Sequence, residues 1–266
     1  MFMNRMIMMA AFVAAMMTGG ATMARGSSNG MVAEMNVNGG KKASRQMNVA
    51  YFSKIDIKGG ANVVFRQTNG GKPKVTVAGY KADVDMVSVK SDGRTLTITQ
   101  ADNRSGWHVF GSGKEVTVYV SAPDLTAVNI FGSGDFRADG KVDTDNLLVV
   151  VKGSGDVDMR NVICDNADIQ ISGSGDVEIK NLVAQRHAGI KVYGSGDVDI
   201  KNLVAQRHAG IKVYGSGDVD IKFTRSGYVT CGVYGSGDVE LKGYVKGLKK
   251  NVKGSGEIET DGLKRW

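Results

Sequence analysis

Gly-Ser-Gly followed by an acidic residue is the most repeated motif in this chain, and its groups suit several kinds of chemistry. The triplet begins at eight positions: Gly111, Gly132, Gly153, Gly173, Gly194, Gly215, Gly235 and Gly254. The next residue is Lys114 in the first copy and acidic in the others: Asp135, Asp156, Asp176, Asp197, Asp218, Asp238 and Glu257. A serine can act as a nucleophile, a carboxylate can bind a cation, and glycine amides can hold a phosphate.

Neither phosphate binding nor serine catalysis fits this repeat. A phosphate loop places its glycines before a helix N-terminus, whereas each triplet here precedes a strand pattern and lacks the Lys-Ser/Thr pair. Nucleophilic catalysis needs one serine beside one base, and these serines occupy equivalent corners. We therefore predict no catalytic residue and no cofactor. The glycines are expected to adopt backbone angles closed to other residues, with Ser and Asp side chains bonding to nearby amides.

The acidic column and the histidines are the candidates for metal binding. Calcium prefers carboxylate oxygens, but the calcium-binding β-roll repeats about every nine residues, less than half the period here. A lysine in each rung is near enough to offset the acidic charge: Lys180, Lys201, Lys222 and Lys242. His187 and His208 are copies on adjacent rungs, a pair that could hold a metal or a sulfate, but zinc sites use more than two ligands. We predict no metal site and a solvated histidine corner, with calcium as an open alternative.

Aromatic residues stand directly before several corners: Phe110, Phe131, Tyr193, Tyr214 and Tyr234. Aligned in one column, they could stack on sugar rings or simply on each other, as cross-strand neighbours do. We favour mutual stacking, but any binding face should lie here. The predicted binding stripe is therefore Phe131, Tyr193, Tyr214 and Tyr234.

The spacing of the corners predicts the architecture that must position these residues. Successive triplets lie 19 to 21 residues apart, and short runs before and after each one alternate apolar and polar side chains. Stacking equivalent strands in parallel, about 4.8 Å apart, buries columns of Val and Ile. We predict an all-β, single-stranded, right-handed parallel β-helix with rungs of about 20–21 residues. Asn161, Asn181 and Asn202 should form an amide ladder on a third side, and Lys250 should mark a polar end.

Residues 179–199 recur unchanged as residues 200–220. A duplicated rung is tolerated because each rung contacts only its neighbours. Cys164 and Cys231 fall three rungs apart in this register, too far for a disulfide. We predict that they are unbridged and that no function depends on a single copy of the duplicated segment.

The start of the chain predicts export. Residues 1–24 resemble a signal peptide, with Arg5 before an apolar run and small residues at Thr22-Met23-Ala24. Residues 25–45 are expected to be a flexible linker, and residues 46–266 the solenoid, with irregular rungs over 46–110 and Gly-Ser-Gly repeats over 111–266. We expect no transmembrane segment in the mature chain. The protein should reach the periplasm, the outer-membrane surface or the exterior, where nucleic acid is a poor candidate partner.

The charge pattern suggests a class of partner. Formal net charge is +7, and residues 241–266 hold seven Lys or Arg against three acidic residues. Such a basic end favours an anionic surface such as lipopolysaccharide or an acidic glycan. Ordinary solubilising charge on the last rung is the alternative.

Residues 46–266 resemble the auto-transporter adhesin "head GIN" domain family of bacterial exported proteins. The resemblance rests on the sequence FSKIDIKGGANV from Phe52, on SDGRTLTI from Ser91, and on the repeated Gly-Ser-Gly-Asp-Val. It implies a parallel β-helical fold and a role in adhesion, and it supplies no catalytic residues. We predict an exported, non-enzymatic adhesion-type protein that binds a glycan or protein at a cell surface. A polysaccharide-active β-helix enzyme and a purely structural envelope protein are the alternatives.

Overall fold

The computed structural model describes residues 22–25, 30–37, 40–100 and 116–266. Within them the chain forms a parallel β-solenoid of about seven turns, with rungs of about 21 residues. The elements are β1 (Thr22–Arg25), β2 (Gly30–Val37), β3 (Gly40–Met47), β4 (Lys54–Lys58), β5 (Asn62–Gln67), β6 (Lys74–Tyr80), α1 (Lys81–Asp85), β7 (Val87–Ser91), β8 (Thr95–Gln100), β9 (Thr117–Ala122), β10 (Ala127–Ile130), β11 (Phe136–Val151), β12 (Val157–Ile171), β13 (Val177–Val192), β14 (Val198–Ala205), β15 (His208–Val213), β16 (Val219–Val233), β17 (Val239–Val252), β18 (Ile258–Glu259) and β19 (Leu263–Arg265). None of the helices in the described part is long and apolar enough to cross a bilayer.

The core is made of the predicted apolar columns. Strands β10 to β17 pair in parallel with their neighbours one rung away, so that equivalent positions stack. Val177 and Ile179 after one corner, and Ile190 and Val192 before the next, are at most 1% exposed. Burial of these aliphatic columns gives the stack its main stabilisation, because a single rung cannot bury its own apolar face.

The predicted third side is confirmed. The ladder between β12 and β13 has three runs, and the middle one pairs Asn161 with Asn181. Asn181 Nδ2 donates to Asn161 Oδ1 at 2.8 Å, and Asn202 Nδ2 donates to Asn181 Oδ1 at 3.0 Å. Asn181 therefore donates to the rung below and accepts from the rung above, which suits only a stack in register.

The corner glycines have a different role from the predicted one. Among the described residues, positive φ occurs at Gly59, Gly70, Gly71, Gly93 and Gly243, and at none of the Gly-Ser-Gly triplets. Instead, neighbouring corners nearly touch. A Cβ added at Gly194 would overlap the carbonyl oxygen of Gly173 one rung below. Glycine is therefore required because of close backbone contact between rungs, which no larger residue allows.

The acidic residue of each motif caps the next corner. Asp197 Oδ1 accepts a hydrogen bond from the Asp218 amide at 2.7 Å, and the same contact repeats in the other described rungs. The series begins at Asn62, whose Oδ1 accepts from the Asp135 amide at 3.0 Å. The predicted bonding of Asp side chains to corner amides is thus confirmed, but it links successive rungs.

The N-terminal rungs are not stacked in chain order. Strand β10 pairs with β4, and β4 pairs on its other edge with β8. The corner at Gly132 therefore rests on Gly59, whose carbonyl accepts the Ser133 amide at 3.0 Å. The even spacing of the Gly-Ser-Gly triplets predicted instead that the rung starting at Gly111 would lie below the Gly132 corner. The chain departs from the stack through β6 and β7, which pair antiparallel with their neighbours, and returns on the far side of β4.

Parts of the segment 25–45, which we predicted to be a flexible linker, lie in strands β2 and β3. Strand β3 pairs antiparallel with both β2 and β6, and Ala43 is buried. The sequence of β3 is largely polar, so backbone hydrogen bonds to its two neighbouring strands hold it in place rather than an apolar pattern. The predicted leader lies largely outside the described residues, as do Trp107, His108, Val109, Phe110 and Gly111.

The last rung closes the core with polar groups. Lys250 pairs with Cys231 in the apolar column, and its Nζ lies 3.4 Å from the Ile258 carbonyl and from Thr260 Oγ1. Trp266 Nε1 donates to the Ser226 carbonyl at 3.2 Å. Cys164 and Cys231 are free and buried, and the register places them three rungs apart as predicted.

Candidate binding face

One outer side of the last four complete rungs carries aromatic and cationic side chains. We call it the tyrosine face. Its outward residues, rung by rung, are His187, Gly189, Lys191 and Tyr193; His208, Gly210, Lys212 and Tyr214; Tyr228, Thr230, Gly232 and Tyr234; and Gly247, Lys249, Asn251 and Lys253. Alternation along each strand points these residues outward, since the residues between them fill the core.

The three tyrosines before the corners form a continuous stack. Ring centroids are 5.0 Å apart from Tyr193 to Tyr214 and from Tyr214 to Tyr234, and the planes are inclined by 4° and 14°. The side chains are nonetheless 46%, 41% and 37% exposed. Parallel rings this close cover one another's faces, so the middle ring offers solvent its edge and hydroxyl rather than a platform for a sugar.

Phe131 is separated from this stack. Lys152 and Ser172 occupy the same column on the two intervening rungs. The ammonium groups of Lys58 and Lys152 lie 6.0 and 5.8 Å from the centre of the Phe131 ring, one in the rung below and one in the rung above. The structure thus brings Tyr193, Tyr214 and Tyr234 together and places Phe131 in a separate cation–π cluster.

His187 and His208 stack on each other beside two glycines, Gly189 and Gly210. Their ring centroids are 5.4 Å apart with 4° between planes, and their Nδ1 atoms are 3.4 Å apart. His208 Nε2 lies 3.1 Å from Thr230 Oγ1. Burial and repulsion from His187 lower the pKa of His208 below its ordinary value. A side chain at Gly189 would crowd the carboxylate of Asp168 and the ring of His187, both of which would have to shift.

The lysines on the tyrosine face were not among the site residues that we predicted from the sequence. Lys191 and Lys212 are exposed, and among the described residues neither forms an ion pair. Lys249 and Lys253 continue the positive charge on the next rungs. The signal was visible in the sequence, because Lys191 and Lys212 stand two residues before Tyr193 and Tyr214.

A separate outer side, after each corner, carries the negative charge. Its column consists of Asp158, Glu178, Asp199, Asp220, Glu240 and Glu259. Burial raises the pKa of Asp220, and neighbouring carboxylates add to that effect. Lys201 pairs with Asp199, and Lys242 pairs with Glu240 at 2.5 Å. These lysines therefore neutralise part of the negative charge of this column, in addition to any charge they offset on the corner aspartates.

Side chains suited to metal binding are not clustered in the described part of the chain. No set of three or more His, Cys, Asp or Glu side chains there could hold a metal ion. A surface groove of about 300 Å³ is lined by Lys141, Asn161, Val162, Ile163, Asn181 and Val183. This lining contains amides and aliphatic groups beside one lysine, without a carboxylate or histidine to act as a general acid or base.

Comparisons with known proteins agree with this description. The family model described as "Putative auto-transporter adhesin, head GIN domain" matches residues 51–226 and 183–265. A solved structure of a "putative adhesin" from Bacteroides fragilis superposes with a TM-score of 0.73 at 26% identity, covering 82% of this chain and 96% of its own. A "putative lipid binding protein" from Parabacteroides distasonis has a TM-score of 0.59 at 21% identity, with 84% and 97% covered. A search of curated proteins finds no match.

Proposed function

The chain belongs to the auto-transporter adhesin head GIN domain family, and from that premise we propose that it is an exported, non-enzymatic binding protein of the adhesion type. Its binding surface is the tyrosine face. Its partner is a glycan or protein at a cell surface. Export rests on the leader pattern of residues 1–24 and on the family.

The observation that carries the proposal is the repetition of outward chemistry. Tyrosine and lysine recur at equivalent places on consecutive rungs, and Tyr193, Tyr214 and Tyr234 form one exposed stack. Exposed tyrosines are common in contact surfaces because they supply a large, rigid area at low entropic cost. A surface repeated along an axis supports distributed contact with an extended partner, rather than chemistry at one point.

The enzyme alternative finds less support in the arrangement of carboxylates. The corner aspartates each accept an amide from the next rung, and the second acidic column is partly paired with lysines. A polysaccharide hydrolase needs two carboxyl groups gathered at the scissile bond. Carboxylates spread along ladders serve the stack instead.

An array of glycans and cell-surface proteins, probed with the full chain, tests the proposal. We expect retention on a subset of ligands and no change in the mass of those ligands after prolonged incubation. Turnover of a polysaccharide would establish the enzyme alternative. Retention on no ligand at all would favour a purely structural envelope protein.

A further inference from the structure

We propose that the tyrosine face binds an acidic polysaccharide, a polyuronate lying along the solenoid axis. This inference rests on the proposed binding function and names its ligand class. It depends on three features of the face, namely its charge, the hydrogen-bond donors it presents, and its repeat distance.

The charge on the tyrosine face is of one sign. Across its four rungs, none of the sixteen outward positions defined above is Asp or Glu, whereas four are lysine. The acidic residues of the same rungs lie at the corners and on the separate acidic column. Lys191 and Lys212 are exposed and form no ion pair within the described part of the chain, so an anionic ligand would supply a counter-charge to each.

The side chains of this face are also mainly donors. Stacking covers the faces of the middle tyrosine, so the exposed parts are ring edges, which carry the positive end of the aromatic quadrupole, and phenol hydroxyls. Lysine adds ammonium donors. Carboxylate and hydroxyl oxygens of a uronate accept from all of these groups, which favours an acidic sugar over a neutral one.

The repeat distance favours a linear polymer. Equivalent groups recur on each rung, about 4.8 Å apart, and the tyrosine ring centroids reproduce this spacing at 5.0 Å. A polymer with one charge per sugar can therefore contact the two duplicated rungs through the same groups, Lys191 with Tyr193 and Lys212 with Tyr214. Asp168 sets the lower limit of the binding surface. Its carboxylate lies beneath Gly189 and would repel a polyanion below the rung of His187.

The test is a titration of the full chain with polygalacturonate, using dextran as the uncharged control polymer. We expect binding to polygalacturonate that weakens with salt, because the charges are exposed, and little binding to dextran. Replacing both Lys191→Gln and Lys212→Gln should weaken binding by roughly threefold to thirtyfold, from two exposed charge pairs. Replacing the three tyrosines together by Phe should also weaken it, through loss of the hydroxyls.

Lys180→Gln with Lys222→Gln is the matched control. These lysines are also exposed but stand two residues after Glu178 and Asp220 on the acidic side, so the same change in net charge should leave affinity within about twofold. Equal losses in the two double variants would overturn the assignment to the tyrosine face. Circular dichroism of each variant confirms that the fold is retained.

Two further outcomes would overturn the ligand class. Poly-glutamate or anionic lipid vesicles that bind as tightly, with the same dependence on Lys191 and Lys212, would show that the face recognises negative charge on another kind of partner. No binding to polygalacturonate would also overturn it. The proposed binding function would then still be tested separately, by retention of the protein on the ligand array.

Discussion

At the scale of single residues, the corner glycines hold the rungs at their spacing. A methyl group at Gly194 would overlap the carbonyl oxygen of Gly173. We expect Gly194→Ala to lower the free energy of unfolding by about 3 kcal/mol or more, since backbone atoms cannot move aside as a side chain can. Urea denaturation followed by circular dichroism measures this.

Gly140 supplies the control for that substitution. Its φ is not positive, and an added Cβ would meet nothing within 4 Å. Gly140→Ala should be neutral or stabilising by up to about 1 kcal/mol, because alanine restricts the unfolded chain. Similar losses at both positions would show that close contact between rungs is not the reason for glycine.

The histidine pair predicts a dependence of stability on pH. The pKa of His208 is lowered in the folded protein by burial and by His187, whereas the unfolded chain titrates near 6.5. As pH falls from 7.5 to 5.5 the unfolded state takes up this proton first, so stability decreases. His208→Gln should show a smaller decrease in melting temperature over that range. An identical decrease in both proteins would contradict the prediction.

The sequence showed which residues matter to the fold more fully than it showed the physical role of each one. The asparagine ladder was predicted because identical amides in register have one obvious partner. The role of the corner glycines was not, because the sequence shows only that glycine recurs. Backbone freedom and close approach between rungs leave the same pattern in a single sequence.

At the scale of the elements, repeat length predicts register only where the chain stays in the stack. Strands β10 to β17 follow the predicted order. The excursion through β6 and β7 lets β8 lie on one edge of β4 while β10 occupies the other. The even spacing of the Gly-Ser-Gly triplets could not reveal that the chain leaves the stack through β6 and β7. The pairing of β3 was missed for a related reason, since its polar sequence carries no apolar alternation.

The register has a direct chemical test at the cysteines. Cys164 and Cys231 are buried on separate rungs, and burial raises the pKa of each thiol to about 12. We expect a thiol reagent to react slowly with the native protein and to find two free thiols after denaturation without reductant. Finding none in the monomer would indicate a disulfide and contradict the register.

At the scale of the whole molecule, the carboxylates of the last four complete rungs are sorted by side. The corners and the strands that follow them carry the carboxylates, together with lysines that pair with some of them, whereas the tyrosine face carries lysines and no carboxylate. The sequence contains this separation, but it becomes visible only when the rungs are stacked and each column is followed along the axis. The stripe predicted from aromatic positions therefore placed three tyrosines correctly in one column and left out the lysines beside them.

We infer that the fold and its binding surface are modular. Deleting residues 179–199 joins Glu178 to Ile200 and removes one copy of the exact duplication. Because each rung contacts only its neighbours, the shortened protein should fold with reduced stability. Deleting residues 179–188, about half a rung, should instead prevent folding, because it breaks the register of the columns.

The most direct measurement is the affinity of the rung-deleted protein for a ligand that the array retains, with circular dichroism recorded on the same sample. We expect a β-rich, cooperatively unfolding protein that keeps part of the wild-type affinity, since Tyr234 and one copy of the Lys-Tyr pair remain. An unfolded deletion protein would contradict the modular stack. A folded protein without residual binding would contradict the distributed surface.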